Sequence, residues 1–254
     1  MRHGQGRSPS LLVAPLPSLA PSTEAVGVAI DVLRASSTAV VALGRGMPRL
    51  VVTSSLREAR RLRRALVDHL LAGERGGLPP RDFDLGNSPL QLLSADLQGR
   101  GLILTTSNGT RLLRRLARLP VVLVGCLLDR RAVARLAVTK ARSLGLPIVL
   151  VCAGEGGGRE MALEDIIGAG AIAEAALEMD PELEADEWAR LALLAFAAAR
   201  NDLPAALGAT RHGRHLASSG LGEDVAYCAR MDEWEAVPSL ERDAEGLLVL
   251  RPAP

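Results

Sequence analysis

At least five times along this chain a short run of small or branched apolar residues ends in a polar or glycine-bearing turn and gives way to a helical pattern. The runs at residues 26–30, 49–53, 101–104, 121–124 and 147–151 are each long enough for one strand, and each is followed by a turn and a helix-period segment. Parallel strands need crossovers of about a dozen residues, commonly helices, so this alternation commits the chain to strands layered with helices. The expected fold is α/β with a central, mostly parallel or mixed sheet covered by helices. Residues 11–16 add a first strand, and residues 69–72 an apolar run that ends in Glu74 and Arg75. After Asp180-Pro181 the pattern turns helical, at 182–200 and 210–219, with residues 247–250 as a last edge strand. No linker separates the parts. The chain therefore reads as one domain over 1–254, with an alternating core at 10–180 and a mainly helical C-terminal part at 181–254.

Composition narrows the class. Of 254 residues, 48% are hydrophobic but only 2% aromatic, so the core must be aliphatic. A net charge of +1 argues against general attraction to nucleic acid or membrane, and any anion site must be a local gathering of arginines. Cys126, Cys152 and Cys228 are widely spaced and odd in number, which points to neither a disulfide framework nor zinc, and suits a reducing cytoplasm. Arg2 and Arg7 ahead of an apolar run faintly imitate a leader, but Pro15, Pro17 and Pro21 break it. The apolar stretch at 191–199 is too short to span a bilayer.

In parallel sheets ligands bind beyond the carboxyl ends of strands. Here those ends carry Asp31, Glu74, Thr105 with Thr106, Gly125, and Cys152 with Gly154. Asp31 is followed one turn later by Arg34, Ser36, Ser37 and Thr38, a set able to hold an anion or a metal, or simply to cap a helix. Asp129 is placed to cap the helix that runs to residue 144.

Familiar phosphate machineries are absent. Lys140 is the only lysine and lacks the glycines of a Walker loop. Six residues rather than five separate Cys152 from Arg159, and Asp31 has no second acid two residues on. The loop G-E-G-G-G-R at 154–159 does not match the spaced dinucleotide fingerprint. His212 and His215 share a helix face without an evident third ligand, and are expected as surface or capping residues. What remains is a site of amides, hydroxyls, arginines and carboxylates, suited to Mg²⁺-assisted phosphoryl transfer.

The segments D-V-L-R-A-S-S-T, G-E-R-G-G, F-D-L-G-N-S-P, T-T-S-N-G-T, C-A-G, L-E-D and S-S-G-L-G-E-D-V-A-Y-C, in this order, resemble the 2-phosphosulfolactate phosphatase family. The likeness runs from about residue 10 to 238. It implies a three-layer α/β/α enzyme that uses Mg²⁺ to hydrolyse 2-phospho-3-sulfolactate to 3-sulfolactate and phosphate, a step of coenzyme M biosynthesis. The chain departs from the pattern at Ser36 and Ser107, where threonine is usual, at Ala162 in place of serine, and at Asp129 in place of asparagine.

With that resemblance, Asp31 and Arg34 are the expected catalytic pair. The expected metal ligands are Asp31, Glu74, Glu164 and Asp165. Substrate contacts are expected from Ser37, Thr38, Arg75, Asn87, Ser88, Thr105, Thr106, Ser107, Asn108, Gly109, Thr110, Gly154 and Arg159. Plainer roles compete: Asn87 and Ser88 as a turn and helix cap, Glu164 and Asp165 as complements to a helix dipole. The ligand is a small anionic phosphoester, with the C-terminal helices available for a homodimer. Two rival readings are a non-catalytic anion binder on the same cradle and a nucleotide-dependent transferase.

Overall fold

The structure is a computed structural model that describes residues 10–97 and 99–254; Arg2 and Arg7 lie outside the described residues. Its strands are β1 (Ser10–Ala14), β2 (Val26–Ile30), β3 (Leu50–Thr53), β4 (His69–Gly73), β5 (Gly101–Thr105), β6 (Val121–Gly125), β7 (Ile148–Cys152), β8 (Glu184–Ala185), β9 (Pro238–Arg242) and β10 (Leu248–Pro252). The helices are α1 (Ala35–Gly44), α2 (Leu56–Ala65), α3 (Pro89–Ser94), α4 (Gly109–Leu116), α5 (Arg130–Leu144), α6 (Leu163–Met179), α7 (Glu187–Ala199), α8 (Leu203–Gly208), α9 (Arg211–Ser218) and α10 (Gly222–Cys228). The mixed α/β class and the strand–helix alternation are as expected.

Local chemistry accounts for several boundaries. Ser55 accepts a hydrogen bond from the Glu58 amide to start α2. Ser88 accepts from the Gln91 amide with Pro89 at the first helical position of α3. At the far end of α5, Gly145 takes a left-handed conformation that closes the helix. Asp129 does not cap α5 with its side chain; Oδ1 turns back to accept from the Cys126 amide at 2.8 Å. The helix expected over 182–200 begins only at Glu187, because Glu184 and Ala185 pair with β1 first.

One ten-stranded sheet has the order β4-β5-β3-β10-β9-β6-β2-β7-β1-β8. Residues 247–250 were expected as an edge strand, but β10 sits inside the sheet, antiparallel to both β3 and β9. The unexpected strand β9 is antiparallel to β6. Two parallel blocks, β4-β5-β3 and β6-β2-β7-β1-β8, are thus sewn together by a hairpin and run in opposite senses across it.

The sheet also curls. Five strand spacings separate β5 from β2, roughly 24 Å on a flat sheet. Yet Leu104 of β5 and Ile30 of β2 line the same small internal pocket, together with Val124 and Leu250 and residues of α1 and α4. Along β3, β5 and β10 alternate residues enter two separate clusters: Val51, Ile103 and Val249 pack with Ala59 and Leu62 of α2, while Leu50, Leu102 and Leu250 join the main core. That core extends from Leu11 to Leu250. Among the described residues no helix is long and apolar enough to cross a membrane.

Candidate active site

A cleft of about 190 Å³ lies where loops after β2, β4, β5 and β7 meet α9. Asp31, Arg34, Glu74, Asn87, Ser107 and Asn108 line it from the sheet side. Glu155, Gly156 and Gly157 form one wall, and His212 and His215 face in from α9.

Asp31 follows β2 directly and is buried. Its amide donates to Ser36 Oγ at 2.9 Å, and its Oδ1 accepts from the Ala35 amide at 3.2 Å. Gly109, at the start of α4, donates its amide to the same carboxyl. A Cβ at Gly109 would stand 2.6 Å from Asp31 Oδ2, so only glycine lets this helix start close on the acid. Burial pushes the Asp31 carboxyl up to about 7, and nearby Glu74 and Glu164 add to the rise.

Arg34 is 2% exposed. Its Nη1 donates to Asp224 Oδ2 at 2.5 Å and its Nη2 to the Gly77 carbonyl at 2.7 Å, while Nε has no partner. Ser88 Oγ donates to the other Asp224 oxygen at 2.7 Å, which fixes that carboxylate from a second side. The Leu33–Arg34 peptide bond is cis.

The remaining acids divide their work. Asp165 accepts from the Val32 amide at 2.9 Å and the Gly154 amide at 3.0 Å, tying the ends of β2 and β7 together. Burial, with Asp31 and Glu164 nearby, holds its carboxyl well above the usual range. Glu74 accepts from the Ser107 amide at 2.6 Å, the Gly77 amide at 3.0 Å and Ser107 Oγ at 3.2 Å. Glu164 is 2% exposed with Oε2 unpartnered, and burial raises its carboxyl too. The first-turn acids of α6 therefore do more than complement a helix dipole.

The expected cradle is only partly in the cleft. Ser107, Asn108 and Asn87 line it, and Asn87 Oδ1 is buried without a partner. Thr106 and Thr110 instead bond one another: each amide donates to the other's Oγ1, at 3.1 and 3.0 Å. Thr105 Oγ1 accepts from Arg75 Nη2 at 3.1 Å. Ser37 Oγ donates to the Val32 carbonyl, and Thr38 Oγ1 is buried with no partner away from the cleft lining. Gly154 serves through the amide given to Asp165, and Arg159 lies on the outer side of the glycine loop. Cys152 is buried and does not line the cleft.

Four contributors escaped the sequence reading. His212 and His215, expected on the surface or at a cap, line the cleft, with His215 Nε2 3.0 Å from the Gly76 carbonyl. Burial lowers the His212 imidazole below its ordinary value. Glu155 is held by Arg211 of α9 at 2.9 Å, and Asp224 holds Arg34. The signals for these were the late G-E-D segment, the paired histidines and the G-E-G-G-G-R loop that carries Glu155.

Among the described residues no three His, Cys, Asp or Glu side chains converge into a metal cage. Mg²⁺ rarely uses such a cage; it takes one or two carboxylates and fills its octahedron with water and phosphate oxygens. Asp31, with its acidic neighbours, and Glu164, with a free buried oxygen, fit that mode. Asp165 and Glu74, both expected as ligands, do not, since backbone amides hold both oxygens of each.

Comparison with known proteins places the chain in a family. The family model described as 2-phosphosulpholactate phosphatase matches residues 15–243. A protein of Deinococcus radiodurans named probable 2-phosphosulfolactate phosphatase is 39% identical over 216 residues, covering 85% of this chain and 87% of the relative. Proteins of the same name from Thermus thermophilus and Gloeobacter violaceus are 38% and 36% identical over 228 and 236 residues, covering 89% and 92% of this chain and 92% and 95% of theirs. The chain belongs to the 2-phosphosulfolactate phosphatase family.

Proposed function

We propose that this protein is a Mg²⁺-dependent phosphatase that hydrolyses 2-phospho-3-sulfolactate to 3-sulfolactate and inorganic phosphate in the Asp31–Arg34 cleft. The observation that carries the reading is the pairing of a buried, charge-crowded carboxylate with a buried guanidinium that keeps Nε uncommitted, both lining one cleft. The names of the relatives support the substrate.

Bound Mg²⁺, held by Asp31 with Glu164, would neutralise charge on the phosphate oxygens. The chain's own groups do the rest. Arg34 is locked by Asp224 and the Gly77 carbonyl, so its charge meets the phosphoryl group without reorganising. Ser107 Oγ and the Asn87 and Asn108 side chains line the cleft for the remaining substrate oxygens. Asp165 and Glu74 hold the loops that carry these groups, through four hydrogen bonds to backbone amides.

Phosphate release from 2-phosphosulfolactate, followed with Mg²⁺ and again after chelation by EDTA, tests the reading. Release is expected with the metal and should fall by at least tenfold, an order-of-magnitude figure, on chelation. Equal rates in both conditions contradict the metal assignment. Absence of release from this ester, with release from unsulfonated esters, contradicts the substrate.

A further inference from the structure

The cleft is poor in free positive charge. Its lining includes Asp31, Glu74 and Glu155, and its one arginine, Arg34, is already paired with Asp224. A phosphoester that also carries a carboxylate and a sulfonate brings more anion than this lining neutralises. The compensating charge lies next door.

An open groove of about 560 Å³ adjoins the cleft and shares Asn108 and Gly157 with it as a common ridge. The Gly157 amide donates to Asn108 Oδ1 at 2.9 Å, which joins the two loops that form the ridge. Beyond it the groove is lined by Arg111 and Arg115 from α4 and Arg159 from the glycine loop, with Ser18 opposite.

Among the described residues none of these arginines has a carboxylate within ion-pair distance. The nearby acids are taken, Glu58 by Arg114 and Glu155 and Glu160 by Arg211. Three like charges gathered without counter-charge repel one another, an arrangement that an anion between them relieves. The loop is shaped for it. Gly154, Gly156, Gly157 and Gly158 all have φ between +60 and +82. A Cβ on Gly157 would stand 2.9 Å from Arg111 Nη1, so glycine leaves that guanidinium room against the ridge.

We propose that this groove holds the non-reacting strong-acid group of the substrate, a sulfonate, through Arg111 and Arg159, with Arg115 adding to the field. The inference rests on the phosphatase reading above. It makes the far side of the glycine loop the element that selects a sulfonated ester from its unsulfonated analogue.

The test compares 2-phosphosulfolactate with 2-phospholactate in the full-length wild type, the R111Q/R159Q double variant and the control R118Q, whose side chain lies outside the groove. Loss of two charge-assisted contacts should raise KM for the sulfonated ester about tenfold or more. KM for the unsulfonated ester and both kcat values should stay within about twofold, as should everything in the control. An equal rise for both esters, or no rise, overturns the proposal. Calorimetric titration with 3-sulfolactate separates the two readings. If the wild type hydrolyses neither ester but binds 3-sulfolactate at least tenfold more tightly than the double variant, the phosphatase reading falls and the groove assignment stands. If neither turnover nor binding depends on Arg111 and Arg159, the groove assignment falls.

Discussion

Asp129 is fully buried beside the end of β6, with Oδ1 accepting from the Cys126 amide and thiol and Oδ2 without a partner. Burial pushes this carboxyl up to about 8, so the native state holds a proton that the unfolded chain, near 3.8, releases. The stability tied to that proton is fully present below about pH 4 and is lost as pH rises through 8. An Asp129→Asn variant keeps an acceptor for Cys126 and cannot ionise. Its stability relative to wild type should therefore rise between pH 5 and 8, by on the order of 1 kcal/mol per pH unit, and then level off. Urea unfolding at pH 5, 7 and 9 reads this directly, and a pH-independent difference would contradict the burial argument. Asp31 and Asp165 follow the same physics, because these acids crowd each other as well as lose water.

The hairpin of β9 and β10 is the element whose placement the sequence conceals. Residues 238–242 read P-S-L-E-R, and proline with two charges is the pattern of an edge or a loop. Only long-range pairing, to Leu50 and Val51 on one side and Leu123 on the other, makes it the seam between the parallel blocks. Because Leu250 is fully buried at that seam, Leu250→Ala should cost about 2–5 kcal/mol of unfolding free energy. A change below about 1 kcal/mol in urea midpoint analysis would fit an edge strand and contradict the central placement. By contrast β2, with five buried residues in a row, and the Ser88-Pro89 start of α3 were legible, because their causes are local. The hydroxyls of Thr105, Thr106 and Thr110 were legible as polar positions but not as partners of Arg75 and of each other, since composition cannot tell a lining residue from a locking one.

For the molecule as a whole, the strand ends gather their acids and amides by a route that differs from a single parallel edge. The two parallel blocks run oppositely, and the curl of the sheet brings the end of β2 against α4 and the loop after β5. Of the strand-end residues that the rule about carboxyl ends selected, Asp31 and Glu74 line the cleft, while Thr105, Thr106, Gly125, Cys152 and Gly154 do not. His212 and Asp224 enter from α9 and α10, far along the chain from β2, so local pattern could not assign them. The proposed reaction places one buried carboxylate, Asp31, at the centre of the chemistry. Asp31→Asn preserves shape and removes its charge, and phosphate release from 2-phosphosulfolactate with saturating Mg²⁺ measures the consequence. A fall of about two to three orders of magnitude in kcat is the predicted result, and turnover within a few-fold of wild type would contradict the assignment.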